Sequence, residues 1–192
     1  MPHLTRARLI FPSDPQLLLV SAHLHDRFAS PLLQTAAQSI QDTKDIKSDI
    51  GTERAELQRA ETLYRQALAV APGNAEARVR LARVLSRLGR HREAVAELKS
   101  AASDQLSAEY RYYAELFAGS DEEALGNFNA ARAAFQRAVG LFPEAQSPRL
   151  ALSQLARRQG NKAEARAQLE LLSTPGNGGA REDPWWKYYE WR

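Results

Sequence analysis

Residues 75–101 read AEARVRLARVLSRLGRHREAVAELKSA, from Ala75 to Ala101. The stretch holds two short apolar stripes at helical spacing. Val79, Leu81, Ala82, Val84 and Leu85 form the first; Ala94, Val95, Leu98 and Ala101 form the second. Between them stands Leu88-Gly89-Arg90. A glycine at the end of a helix accepts the left-handed conformation that closes it, so Gly89 predicts a turn between two helices. Neither helix buries its stripe alone. The pair leaves apolar surface for neighbours, which predicts further copies of the same unit.

The copies are present. Alanine, a large apolar residue four positions on and a small or apolar residue three beyond that recur at Ala60/Tyr64/Ala67, Ala94/Leu98/Ala101, Ala131/Phe135/Ala138 and Ala165/Leu169/Leu172. The leading alanines are 34, 37 and 34 residues apart. Glycine stands five residues before three of them, at Gly89, Gly126 and Gly160, and proline twelve residues after two, at Pro72 and Pro143.

This pattern resembles the tetratricopeptide repeat family, in the form of a bacterial-type helical repeat protein, over residues 52–172. The resemblance implies an all-α fold, a right-handed α–α superhelix built as a solenoid of antiparallel helix pairs. Some positions depart from the family pattern. Arg78 and Arg149 stand where the family places an aromatic. Leu81-Ala82, Ala118-Gly119 and Leu152-Ser153 replace its Leu-Gly pair. The three extra residues of the middle spacing fall within Ser107–Tyr113.

The organisation expected is degenerate repeat helices over 1–51, repeats over 52–172, a linker over 173–182 with the run Pro175-Gly-Asn-Gly-Gly179, and an aromatic capping segment over 183–192. Ala7-Arg-Leu-Ile-Phe-Pro12 matches Ala138-Val-Gly-Leu-Phe-Pro143, so Leu4–Ile10 reads either as the end of a helix or as an irregular arm. Asp14-Pro15, Ser30-Pro31 and Asp183-Pro184 are helix-start signals. The helix from Asp14-Pro15 should run to about Arg27, and the next, over Pro31–Asp49, should be the first partner of Glu53–Val70. Later helices are expected at Ala75–Leu88, His91–Ser103, Ala108–Leu125, Asn129–Leu141, Ser147–Gln159 and Lys162–Leu172.

Composition narrows the function. The chain of 192 residues has 44% hydrophobic and 26% charged residues and a net charge of +3, with a pI near 9.3. It has no cysteine, which excludes disulfides and thiolate metal sites. His3, His23, His25 and His91 lack ligand spacing, so no metal is expected. No apolar run reaches the roughly 20 residues of a membrane span. No signal peptide is visible; the compartment expected is cytoplasmic by default, or periplasmic for a chain whose leader has been removed. No nucleophile, framed carboxylate pair or phosphate-binding loop stands out. The expectation is therefore a protein that is not an enzyme, binds no cofactor and has no small-molecule substrate.

What remains is surface. The resemblance implies that the first helix of each pair lines a concave side that grips a peptide or partner helix. Matching positions include Arg80, Arg83 and Arg87; Tyr113, Leu116 and Phe117; and Gln154, Arg157 and Arg158. Guanidinium groups hold carboxylates in paired hydrogen bonds, so the partner expected is an acidic protein or peptide. The family's carboxylate clamp of lysine and asparagine is missing. The bland reading of these arginines is a solvated helix face. Nucleic-acid binding through the same face is the alternative, with the small net charge against it. All three tryptophans, Trp185, Trp186 and Trp191, lie in the tail. They read as a cap over the open side of the last pair, around Leu152, Leu155, Leu169 and Leu172, or as contacts that recruit the chain as an accessory subunit. Oligomeric state is not legible.

Overall fold

The computed structural model describes residues 2–39, 51–101, 106–172 and 183–188. Every regular element among them is helical, and none is long and apolar enough to cross a membrane. The chain divides into two compact units, Met1–Arg90 and His91–Arg192.

The first unit holds α1 (Pro2–Ile10), α2 (Pro15–Phe28), α3 (Pro31–Ser39), α4 (Glu53–Val70) and α5 (Ala75–Arg87). Leu4–Ile10 is thus helical rather than an arm. Asp14 caps α2 by accepting from the N–H groups of Gln16 and Leu17, both at 2.9 Å, with Pro15 in the first turn. Thr52 caps α4 and Asn74 caps α5 in the same way.

Among the described residues the partner of α4 is α2, not α3, which begins at Pro31. Leu18, Leu19 and Ala22 of α2 are buried, as are Leu57, Ala60, Leu63, Tyr64 and Ala67 of α4, whereas Leu32 of α3 is 80% exposed. A polar tie reinforces the choice. The buried Glu56 carboxylate of α4 lies 2.5 Å from His25 Nδ1 of α2. It also accepts from the N–H of Gly51 at 2.7 Å and from Arg59 at 2.6 Å. A buried carboxylate must be hydrogen-bonded to be tolerated, and these contacts meet that need. The rest of the expected Pro31–Asp49 helix lies outside the described residues.

The second unit holds α6 (His91–Ala101), α7 (Ala108–Ala124), α8 (Phe128–Leu141), α9 (Gln146–Arg158), α10 (Lys162–Glu170) and a C-terminal 3-10 turn, Pro184–Lys187. Helix α7 packs on α8, α8 on α9 and α9 on α10. The leading alanines Ala94, Ala131 and Ala165 are buried, as are Leu98 and Phe135 four residues after the first two. Gly119 is buried too. A Cβ at that position would lie 2.4 Å from Cε1 of Phe135, so the ring of α8 occupies the space a side chain on α7 would need.

Gly89, Gly126 and Gly160 have φ of 79°, 81° and 77°. Each helix end closes by the same two bonds. The residue after the glycine donates to a carbonyl five residues back, as in Arg90 to Leu85, Asn127 to Glu122 and Asn161 to Ala156, at 2.8–2.9 Å. The glycine itself donates to Ser86, Glu123 or Arg157. This is the Schellman closure, and a glycine adopts its left-handed residue without steric cost.

The two arginines standing in the family's aromatic position share one arrangement. Arg78 donates to the carbonyl of Pro72 at 2.7 Å, and Arg149 to that of Pro143 at 3.1 and 3.3 Å. Each reaches back to the proline six residues before it and ties the connecting loop to the helix that follows.

Candidate functional site

In the first unit the arginines of α5 are committed internally. Arg80 Nε lies 3.0 Å from Glu76 Oε1, and its side chain is 12% exposed. Arg87 donates to Asp26 Oδ1 at 3.1 Å, the Ala29 carbonyl at 2.6 Å and Glu53 Oε1 at 3.0 Å, and its side chain is 11% exposed. The expectation of accessible groups at Arg80 and Arg87 is corrected. The reason is α2, which brings Asp26 and the end of its backbone against α5. Arg83 is half-buried and contributes its charge to the same cluster.

Burial pushes the Asp26 carboxyl above the usual range, against the opposing pull of Arg87, Arg80 and Arg83. Burial, followed by the charge of Arg80, lowers His23 to about 3. Its ring is therefore neutral at ordinary pH, and the 3.7 Å approach of His23 Nε2 to Glu76 is not an ion pair.

In the second unit the aromatic positions are covered. Tyr113, Leu116 and Phe117 of α7 are buried. The C-terminal 3-10 turn covers this face. Tyr113 donates its hydroxyl to the carbonyl of Pro184 at 2.7 Å. The Tyr188 ring meets those of Tyr113 and Phe117 edge-on at 5.1 and 5.2 Å, and Trp185 meets Phe117 at 5.8 Å. The tail was expected over the open side of the last pair. Residues 183–188 lie instead on α7 and the start of α9, while Leu169 and Leu171 remain exposed. The hydrogen-bonding needs of α7 and α9 explain the preference. Tyr112 donates to Asp183 Oδ1 at 2.6 Å, and the Ser147 N–H donates to Asp183 Oδ2 at 2.7 Å. Burial, then the hydrogen bond and charge of Asp183, raise the pKa of the Tyr112 hydroxyl, so it serves as a donor.

The sequence reading did not name Tyr112, Asp183 or the Ser147 N–H as partners in one site. One signal was legible. Asn74 supplies a cap after Pro72-Gly73, whereas the matching position after Pro143-Glu144 is Ala145, which offers no acceptor.

Helix α9 carries the accessible part of the expected set. Leu150 is 41% exposed, and Gln154, Arg157 and Arg158 are exposed beside it. Arg158 donates to Glu123 Oε1 at 2.8 Å and lies 5.9 Å from the centre of the Phe128 ring. Among the described residues Arg157 has no ion pair. Trp185 is half-buried, Trp186 is 59% exposed, and Trp191 lies outside the described residues, as does the expected linker over 173–182.

The helix pairs have counterparts among known proteins. Two models described as tetratricopeptide repeat match residues 52–114 and 118–180. The chain belongs to the tetratricopeptide repeat family. Solved structures with similar folds include PilW, a type IV pilus biogenesis factor, at 21% identity and TM-score 0.64 over 88% of this chain. MamA from Desulfovibrio magneticus RS-1 matches at 19% identity and TM-score 0.63 over 89% of this chain and 80% of its own. YrrB, described as a tetratricopeptide repeat protein with an unusual peptide-binding site, matches at 18% identity and TM-score 0.56 over 93% of this chain and 77% of its own. The chain spans 65% of the length of the PilW structure. A search of curated protein sequences returns no match. The tetratricopeptide fold is in general a non-enzymatic scaffold for protein–protein interaction.

Proposed function

We propose that this chain is a non-enzymatic interaction module that binds a protein or peptide partner through the exposed face of α9. The observation that carries the reading is the row Leu150, Gln154 and Arg157. An apolar residue, an amide and a guanidinium stand on one helical face at i, i+4 and i+7, all exposed. Such a row offers apolar area together with a fork of donors suited to a carboxylate. The acidic partner rests on Arg157, since Arg80 and Arg87 serve internal carboxylates. That commitment also removes two cations from a nucleic-acid surface. YrrB, with its peptide-binding site, is consistent with a peptide ligand here.

The test is capture from the source-cell extract by the full-length chain, beside a Leu150→Glu/Arg157→Glu variant of unchanged helical circular dichroism. The expected result is a set of acidic proteins retained by the former and lost by the latter. Identical retention by both would remove the α9 face from the reading. Exposed Trp186 supports a second reading, recruitment through the tail. A Trp186→Ala chain that alone loses the partner would favour it.

A further inference from the structure

Helix α9 starts with Ala145 at its N-cap and has no side-chain cap of its own, whereas Asp14, Thr52, Asn74, Ser107 and Asn161 cap α2, α4, α5, α7 and α10. The first N–H groups of a helix have no intrahelical acceptor. For Ser147 the acceptor comes from Asp183, 36 residues on, at 2.7 Å. The Asp183 carboxylate is fully buried and has no ion pair among the described residues. It is held by the Ser147 N–H, by the Tyr112 hydroxyl at 2.6 Å and by its own turn through the Trp185 N–H at 2.9 Å. Beyond it the Pro184 carbonyl accepts from Tyr113. Trp185 and Tyr188 stack on each other at 5.9 Å and turn their edges or faces to Phe117.

These contacts divide into a receptor and a ligand. Tyr112, Tyr113 and Phe117 of α7 and the Ser147 N–H of α9 form the receptor. The sequence Asp183-Pro-Trp-Trp-Lys-Tyr188 is the ligand. The ligand sets its own shape: Asp183 caps Trp185, and the Trp186 and Tyr188 N–H groups donate to the Asp183 and Trp185 carbonyls. It uses one buried anionic anchor, one backbone acceptor and two stacked rings, the means by which a short peptide gains affinity with few ordered residues.

We propose that the Tyr112–Phe117 face of α7 is a recognition site for a short Asp-Pro-aromatic segment, filled in cis by residues 183–188. A partner peptide of the same chemistry, a carboxylate followed by two aromatics three residues apart, binds by displacing it. The site rests on the interaction reading above but not on the α9 face. A tethered ligand competes at an effective concentration on the order of millimolar, so binding in trans is weakened in inverse proportion to the fraction of open chains.

All three tryptophans lie in the tail, so tryptophan emission of the unaltered full-length chain, excited where tyrosine does not absorb, reports on the tail alone. The probe is a synthetic peptide of residues 182–192 carrying Trp185→Phe, Trp186→Phe and Trp191→Phe. The expected result is a saturable red shift of emission and greater quenching by acrylamide, with helical circular dichroism unchanged. The same peptide with Asp183→Ala should need about tenfold more to reach the midpoint. A fluorescein-labelled copy should bind full-length Asp183→Ala chain about tenfold more tightly than wild type. No red shift up to millimolar peptide, or a shift accompanied by loss of helical signal, would overturn the proposal. A Leu150→Glu/Arg157→Glu chain should keep the red shift, so loss of partner capture by that variant counts against the α9 reading alone.

Discussion

Two glycines show how one substitution can cost stability for different reasons. Gly126 has open space where a Cβ would go but a φ of 81°, so Gly126→Ala meets backbone strain alone. The expected cost is about 1–2 kcal/mol. Gly119 is helical, and its Cβ would be driven into the ring of Phe135. Gly119→Ala must push α7 and α8 apart, with an expected cost of about 1–3 kcal/mol. Urea melts of both variants test this; a neutral Gly119→Ala would mean that the two helices separate without loss of packing. His23 gives a prediction in pH. Its folded pKa of about 3 lies below the unfolded value of 6.5, so the unfolded chain binds the extra proton first as pH falls. Stability is then lost from about pH 6.5 downwards, by about 2 kcal/mol between pH 7 and pH 5. In His23→Gln that part of the loss should vanish from urea melts at the two pH values. The Asp26 contribution, opposite in sign because its pKa is raised, should largely cancel between the two chains; equal losses would show that the ring is charged in the folded state.

At the scale of elements, the helices from α4 onward could be read from apolar spacing, with glycine ends at α5, α7 and α9, since both signals are local. Pairing in the first unit could not. Helices α2 and α3 each carry apolar residues, and the choice between them rests on His25 meeting Glu56 and on Asp26 meeting Arg87, contacts between residues 31 and 61 positions apart. Arg80 and Arg87 differ from expectation for the same reason, because helical spacing shows which side chains share a face but not what packs over it. The cap of α9 is a further long-range case. Asp183→Ala leaves the Ser147 N–H and Tyr112 hydroxyl without their acceptor, and an expected loss of about 1–3 kcal/mol follows. A thermal melt measures it. An unchanged melting temperature would mean that water replaces the carboxylate without penalty.

For the whole molecule, deletion of residues 183–192 should uncover Tyr113 and Phe117 and lower the melting temperature by about 5–10 °C, taking a few kcal/mol of burial at about 2–4 °C each. Size-exclusion chromatography with light scattering should show self-association of the shortened chain through the bared rings. A monomer of undiminished stability would mean that the tail contributes nothing to the fold. The segment was legible as an aromatic element that starts like a helix. Its seat was not, because an open end at Leu169 offered apolar area, whereas α7 and α9 offered apolar area and unmet donors together.

The arginine ties at Pro72 and Pro143 bear on how such a chain can be lengthened or recombined. A ring in that position would serve whichever helix lay against it, whereas each arginine serves the loop six residues upstream in its own chain. A segment that begins at Pro72 or at Pro143 therefore carries its own entry restraint when duplicated. Splice points placed just before the prolines preserve that restraint, and those placed between proline and arginine sever it. A chimaera library cut at both kinds of joint would sort by solubility along that line.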